Sequence, residues 1–369
     1  MQDMPANMNI AESDLFQPVK LSSLTLSNRI VMAPLTRSRT LKGDLTGPLN
    51  AEYYAQRASA GLIISEAIYI SPQGKGYAFT PGIYNEAQIA GWQQTTQAVH
   101  EKGGHIFAQL WHAGRISHPD LQPNQALPVA PSDIAAAGFA FTESGMKPAV
   151  TPRALETAEI AGIINDFSHA AHCAKLAGFD GIELHAANGY LLDQFIRDKT
   201  NKRTDCYGGR VENRARLLLE VVDAVTKVWP SDRVGVRLSP INSLNDIEDS
   251  NPLNTFSYVV TQLNAFKLAY LHCLEGDMNN SNSVQGFDFQ ILKALFNGKY
   301  IANSGYDIAL ALNARLEKSA DFICFGRPFI GNPDLVRKLY VGADLIDAPK
   351  ETWYEGGAEG YTDWPFLVE

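Results

Sequence analysis

The 369-residue chain is 45% hydrophobic and 19% charged, with a formal net charge of −9 and no block of Lys or Arg, so the basic footprint of a nucleic-acid binder is missing. Its cysteines, Cys173, Cys206, Cys273 and Cys324, lie far apart and form no C-x-x-C pair, which excludes a zinc ribbon, an iron–sulfur cluster or a disulfide framework; no metal is expected. Residues 1–10 lack the basic and apolar regions of a signal peptide, and no apolar run approaches the roughly 20 residues of a membrane helix. A soluble, cytoplasmic protein with no membrane or nucleic-acid partner is the expectation, and neither monomer nor homo-oligomer is favoured.

The first 14 residues are expected to be disordered. Residues 15–28 (LFQPVKLSSLTLSN) read as a short hairpin that would plug the floor of a barrel. Eight nearly continuous apolar runs follow, at 29–36, 61–67, 105–111, 181–185, 233–238, 268–272, 299–302 and 321–326, as strands buried on both faces require. Between them, apolar residues recur at spacings of three and four over 87–102, 157–177, 212–228, 254–264, 287–296, 308–317 and 332–339, which predicts helices. Strands alternating with helices pair in parallel, so the predicted fold is α/β, a (β/α)8 TIM barrel. The Pro-, Ala- and Ser-rich stretch 114–152, after the third strand, carries no helical pattern and is too long for a plain connection; it reads as a lid over the mouth. No linker or low-complexity tract divides the chain, so residues 15–369 are expected to form one barrel domain.

In such barrels the C-terminal ends of the strands form the active face, so polar residues there carry the functional signal. The most informative run is GIELHAANGY at 181–190, a strand that ends in His185, Asn188 and Tyr190. An imidazole and an amide three residues apart can aim N–H donors at one oxygen, and a nearby phenol can give up a proton. A strand end that merely caps the next helix would use the same residue types. Thr36, Gln109 and His272 add polar groups from strands one, three and six. Asn303-Ser304-Gly305 and Gly326-Arg327 follow strands seven and eight, where barrels cradle phosphate; plain turns would also explain the glycines. Arg237 lies in an apolar run where an unpaired cation is costly, and no acidic residue is evidently directed at it, so a ligand that gains negative charge would account for it. His112 reads as a satisfied structural histidine, and the Glu212-Asn-Arg214 triplet as a helix-opening ion-pair and capping element.

The chain resembles the old yellow enzymes, FMN-dependent ene-reductases, from Leu15 to its C-terminus. The likeness rests on RIVMAPLTR (29–37), AQLWHAGR (108–115), ELHAANGYLLDQF (183–195), DCYGGRVENR (205–214), FGRP (325–328) and GGAEGYTD (356–363), in the family's order. The resemblance implies FMN across the mouth, contacted by Pro34, Thr36, Ala67 and Gln109, with Arg237 beside its anionic edge and Asn303, Ser304, Gly305, Gly326 and Arg327 on its phosphate. It implies ping-pong chemistry: NAD(P)H reduces FMN, an activated alkene binds to His185 and Asn188, flavin N5 passes hydride, and Tyr190 donates the proton. Tyr77, Trp111 and Tyr354 would be aromatic substrate walls. The chain departs from the family at Asn303-Ser304, where glycine or alanine is usual, and after His272. A flavin barrel specialised for nitro-compounds, quinones or nitrate esters stands as the alternative within enzymes, and a non-catalytic flavin-binding sensor as the alternative outside them.

Overall fold

All eight apolar runs form strands: six at nearly the predicted bounds, the first ending four residues early and the sixth shifted by two. In the computed structural model, which describes residues 10–277 and 286–368, the strands are β1 (Ile30–Met32), β2 (Leu62–Tyr69), β3 (Ile106–Trp111), β4 (Gly181–His185), β5 (Val234–Leu238), β6 (Tyr270–Leu274), β7 (Lys299–Asn303) and β8 (Phe322–Phe325). All pair in parallel with their sequence neighbours, and β8 closes on β1, which makes the TIM barrel. Among the described residues no helix is long and apolar enough to cross a membrane.

The floor hairpin is present as Val19–Leu21 paired antiparallel with Leu24–Leu26. Its Leu21, Leu24 and Leu26 pack on Val31, Leu62, Phe107, Tyr270, Ile301 and Phe322, the lowest inward-facing layer of the barrel. That layer is apolar, buried and covered from below by the hairpin, so whatever chemistry the barrel does is confined to its upper end. On the outer ring the helix Arg216–Thr226 is typical: Leu217, Leu218, Val221, Val222 and Val225 form the face buried against the strands.

Several elements differ from the sequence expectation. Of the N-terminal stretch expected to be disordered, residues 1–9 lie outside the described residues. Ile10–Glu12 and Asp14–Phe16 form short 3-10 turns, held because the Asp14 carboxylate meets Arg315 at 2.6 Å and Arg29 at 3.3 Å. β1 stops at Met32, with Ala33 making one last ladder bond to the Phe325 carbonyl, and 34–40 runs on outside any strand, so Thr36 sits on a loop rather than a strand end. The shift of β6 puts His272 in the middle of its strand and below the rim. The helix Pro48–Gln56 escaped detection because its buried residues are Asn50, Tyr53 and Tyr54, which carry little apolar periodicity; Tyr53 stacks on Tyr361 at 4.2 Å. The region predicted as 212–228 is broken into Val211–Arg214 and Arg216–Thr226.

The lid at 114–152 is more ordered than its composition suggests. It contains a hairpin, Phe139–Thr142 with Gly145–Pro148, and Val129–Ala130 pairs in parallel with Arg153–Ala154. Buried Arg115 ties it down by donating to the carbonyls of Ile134, Ala135, Asn245 and Asp246.

Gly235, on β5, faces the interior, where an added Cβ would stand 2.2 Å from the Tyr270 ring, itself stacked on Phe107. Gly235→Ala therefore overpacks the lower layer, and urea unfolding should show a loss of about 1–3 kcal/mol.

Candidate active site at the barrel mouth

Inward-facing residues rise in layers above the apolar floor. The middle layer is built on Glu183 of β4, fully buried, whose carboxylate accepts from Gln109 Nε2 at 2.7 Å and lies 2.9 Å from His272 Nδ1. Burial pushes the His272 imidazole below its usual range, so it stands as a neutral donor to that carboxylate. The acidic residue that the sequence did not direct into the barrel is thus Glu183, but it is bonded to Gln109 and His272 instead of Arg237. His272 is correspondingly an inner prop and not part of the rim. Glu183 was legible only as a charge inside an apolar strand, a position that costs free energy unless it is partnered.

One layer up, His185 and Arg237 are register partners on β4 and β5. The Arg237 guanidinium is buried and donates to Asn303 Oδ1 at 3.1 Å, while its Nε has no partner among the described residues. The other end of the Asn303 amide donates to the Cys324 carbonyl at 2.8 Å. Both ends of the Asn303 side chain are therefore turned inward, where they orient Arg237, so a phosphate contact by this residue would have to come from its backbone.

Burial, with Arg237 and His272 close by, drives the His185 pKa far down, so the imidazole is neutral and carries one N–H; its Nδ1 has no protein partner among the described residues. Asn188 follows at φ 59°, a left-handed turn stabilised where its backbone N–H donates to Ser239 Oγ at 2.8 Å. Asn242 Nδ2 donates to Asn188 Oδ1 at 2.7 Å, which fixes the amide orientation and leaves its NH2 as the end free to donate. Tyr190 caps the helix Leu191–Ile196 and packs edge-on against Trp111 at 5.1 Å and His185 at 4.9 Å. Burial raises its pKa, so the phenol is protonated at neutral pH.

Of the expected aromatic walls, Trp111 is fully buried and backs both Tyr77 and Tyr190 instead of facing an open cleft. Tyr77 is half-buried, and Tyr354 is 54% exposed. The C-terminal segment that carries Tyr354 is strapped to the mouth by two buried arginines. Arg37 donates to the carbonyls of Trp353 (2.8 Å) and Gly360 (2.9 Å), and Arg39 to that of Thr352 (2.9 Å), with both guanidinium groups near the Tyr361 ring.

Around the rim, Pro34, Leu35 and Thr36 are half-buried, and Ala67 follows an irregularity in the β2–β3 register. Ser304 and Gly305 are consecutive residues at φ 109° and 67°, a strained turn for serine that points to a functional constraint. Gly326 lies beside Ala33 and Leu35, and Arg327 is exposed. His112 is buried and neutral, with Nδ1 accepting from the Gly114 N–H at 3.0 Å and its pKa pushed down to about 3 by burial, but its Nε2 has no partner among the described residues, so it is not the satisfied histidine the sequence suggested. Among the described residues no group of three His, Cys, Asp or Glu side chains could hold a metal.

A parallel barrel whose rim joins a buried cation to a pair of neutral donors and a protonated phenol defines an oxidoreductase-type site. The profile of the NADH:flavin oxidoreductase / NADH oxidase family matches residues 14–345. The chain is 44% identical over 360 residues to a putative 12-oxophytodienoate reductase 2 of Oryza sativa subsp. japonica, covering 96% of this chain and 94% of that protein. It is 38% identical over 358 residues to a probable flavin mononucleotide-dependent alkene reductase of Leishmania infantum, covering 96% and 97%. Among solved structures, morphinone reductase in complex with tetrahydroNAD superposes with a TM-score of 0.91 at 48% identity, covering 96% and 98%. The old yellow enzyme homologue of Zymomonas mobilis superposes with a TM-score of 0.93 at 44% identity, covering 96% and 100%. The chain belongs to this family of FMN-dependent oxidoreductases, the old yellow enzymes.

Glu66 of β2, which the sequence reading overlooked, anchors the loop after Thr36: its carboxylate accepts from the Arg37 N–H at 3.4 Å and the Tyr54 hydroxyl at 3.3 Å. Burial raises its pKa from 4.5 to about 7, so the unfolded chain releases this proton first and stability falls as pH rises through that window. In urea titrations, Glu66→Gln should lessen the decline in unfolding free energy between about pH 5 and pH 8 by up to roughly 3 kcal/mol.

Proposed function

We propose that the protein uses NAD(P)H to reduce the C=C bond of activated alkenes: α,β-unsaturated carbonyls, maleimides and nitroalkenes. The observation that carries this reading is the arrangement of a neutral His185, an Asn188 amide whose acceptor end is blocked by Asn242, and a protonated Tyr190 on one strand end. The alkene reductase of L. infantum and the reductase solved with tetrahydroNAD support it.

Bound FMN would supply two-electron hydride chemistry, reducible by NAD(P)H and able to reduce an activated alkene. The residues fit such a group because Arg237 is a buried guanidinium with an unpaired Nε and no bonded carboxylate among the described residues, so it suits an electron-rich ring edge. Pro34, Thr36, Ala67 and Gln109 would line the ring, Gln109 through its carbonyl end because its amide N–H donates to Glu183. The backbone of Ser304 and Gly305, with Gly326 and Arg327, would hold the phosphate.

His185 and Asn188 hold the electron-withdrawing oxygen of the alkene and stabilise the charge that develops there as the double bond is consumed. Tyr190 gives its proton to the α-carbon. Tyr77 and Tyr354 bound the substrate, with Trp111 behind Tyr77. The same reading puts residues 15–369 in one barrel unit and the protein in the cytoplasm, supported by four widely spaced, free cysteines.

Purified protein should be yellow, bleach anaerobically on adding NADPH, and regain colour with cyclohexenone or N-ethylmaleimide; a preparation that stays colourless when FMN is supplied ends this assignment. Tyr190→Phe should slow the alkene half-reaction by about 100-fold or more in stopped-flow measurements and spare flavin reduction by NADPH. Equal losses in both half-reactions would remove Tyr190 from the proton-donor role.

A further inference from the structure

Tyr190 is not the only phenol at this rim. The Tyr77 hydroxyl lies 3.0 Å from the Tyr190 hydroxyl, with the two rings at 75°. Tyr77 is held by its ring contact with Trp111 at 5.6 Å and by its carbonyl, which accepts from Thr80 Oγ1 at 2.8 Å. The Asn245 side chain donates to the Asn188 carbonyl at 2.8 Å, and its amide is near enough to both phenols to favour their ionisation. Its position is over-determined. Asn245 and Asp246 are successive non-glycine residues at φ 63° and 58°, and Arg115 donates to the carbonyls of both. A wall that merely bounds a substrate needs rings and no hydroxyls. Here two hydroxyls touch each other under one amide, and Tyr77 keeps more surface open to water than Tyr190.

We propose that Tyr77 is the immediate proton source for Tyr190, forming with Asn245 a two-phenol relay from the water at the mouth to the substrate. The proposal rests on the reading that Tyr190 protonates the α-carbon. As the Tyr190 O–H bond breaks and the new C–H bond forms, the Tyr190 oxygen takes the proton of Tyr77. Water then reprotonates Tyr77, so each turnover draws one solvent proton to match one hydride. Burial holds both phenols protonated at rest.

The test uses the FMN-loaded enzyme and Tyr77→Phe, which keeps the ring on Trp111 and removes the hydroxyl; Asn245→Ala serves as the second variant, and bound flavin reports folding. With 3-fluorotyrosine incorporated at position 190, fluorine NMR titration should show ionisation at that site moving to higher pH in both variants. In stopped-flow mixtures of H2O and D2O, the wild-type alkene half-reaction should give a curved proton inventory. Tyr77→Phe should straighten it and slow the step about 10-fold. An unmoved titration, a straight wild-type inventory or an unslowed Tyr77→Phe overturns the relay. If Tyr190→Phe itself reduces alkenes at the wild-type rate, the proton-donor reading falls first.

Discussion

A guanidinium buried in a parallel barrel sets the terms for the upper half of this molecule. Arg237 projects from an apolar strand into the interior, where a charge without compensation is costly. Among the described residues its one hydrogen bond runs to a neutral amide, Asn303, itself tied to the β8 backbone. The nearest layer below holds a carboxylate, yet Glu183 is occupied by Gln109 and His272. The cation is therefore positioned without being neutralised; it adds to the burial that keeps His185 uncharged, and it faces whatever binds at the mouth.

The donor groups at the rim are fixed before any ligand arrives, which is where electrostatic catalysis gains most. Asn188 is locked by Ser239, Asn242 and Asn245, and Tyr190 by Trp111, His185 and Tyr77. Each lock comes from a different part of the chain. The surrounding loops are held in a common way, with buried arginines donating to backbone carbonyls: Arg37 and Arg39 grip the C-terminal segment, Arg57 the carbonyls of Phe329 and Ile330, and Arg115 the lid. Such forks satisfy several carbonyls at once and keep irregular backbone rigid near the site.

Much of this was legible in the chain. The apolar runs located eight strands because burial on both faces leaves a continuous signature, and the strand-end position of His185, Asn188 and Tyr190 followed from the run they terminate. The helix at Pro48–Gln56 and the lid hairpin were not legible: the first is held by tyrosine stacking and a cap, the second by pairing between strands of four residues. Neither device writes a period into the sequence.

What the sequence determined by itself was the architecture, the family likeness and the face on which the chemistry lies, since alternation, run length and local motifs depend on neighbours along the chain. Only the tertiary structure decided which groups are partnered. It turned Asn303 inward onto Arg237, buried Trp111 behind the phenols, paired Glu183 with His272 across 89 positions and brought Tyr77 to Tyr190 across 113. Hydrogen bonds between side chains so far apart depend on strand register and loop path, and those are set by the packing of the whole barrel.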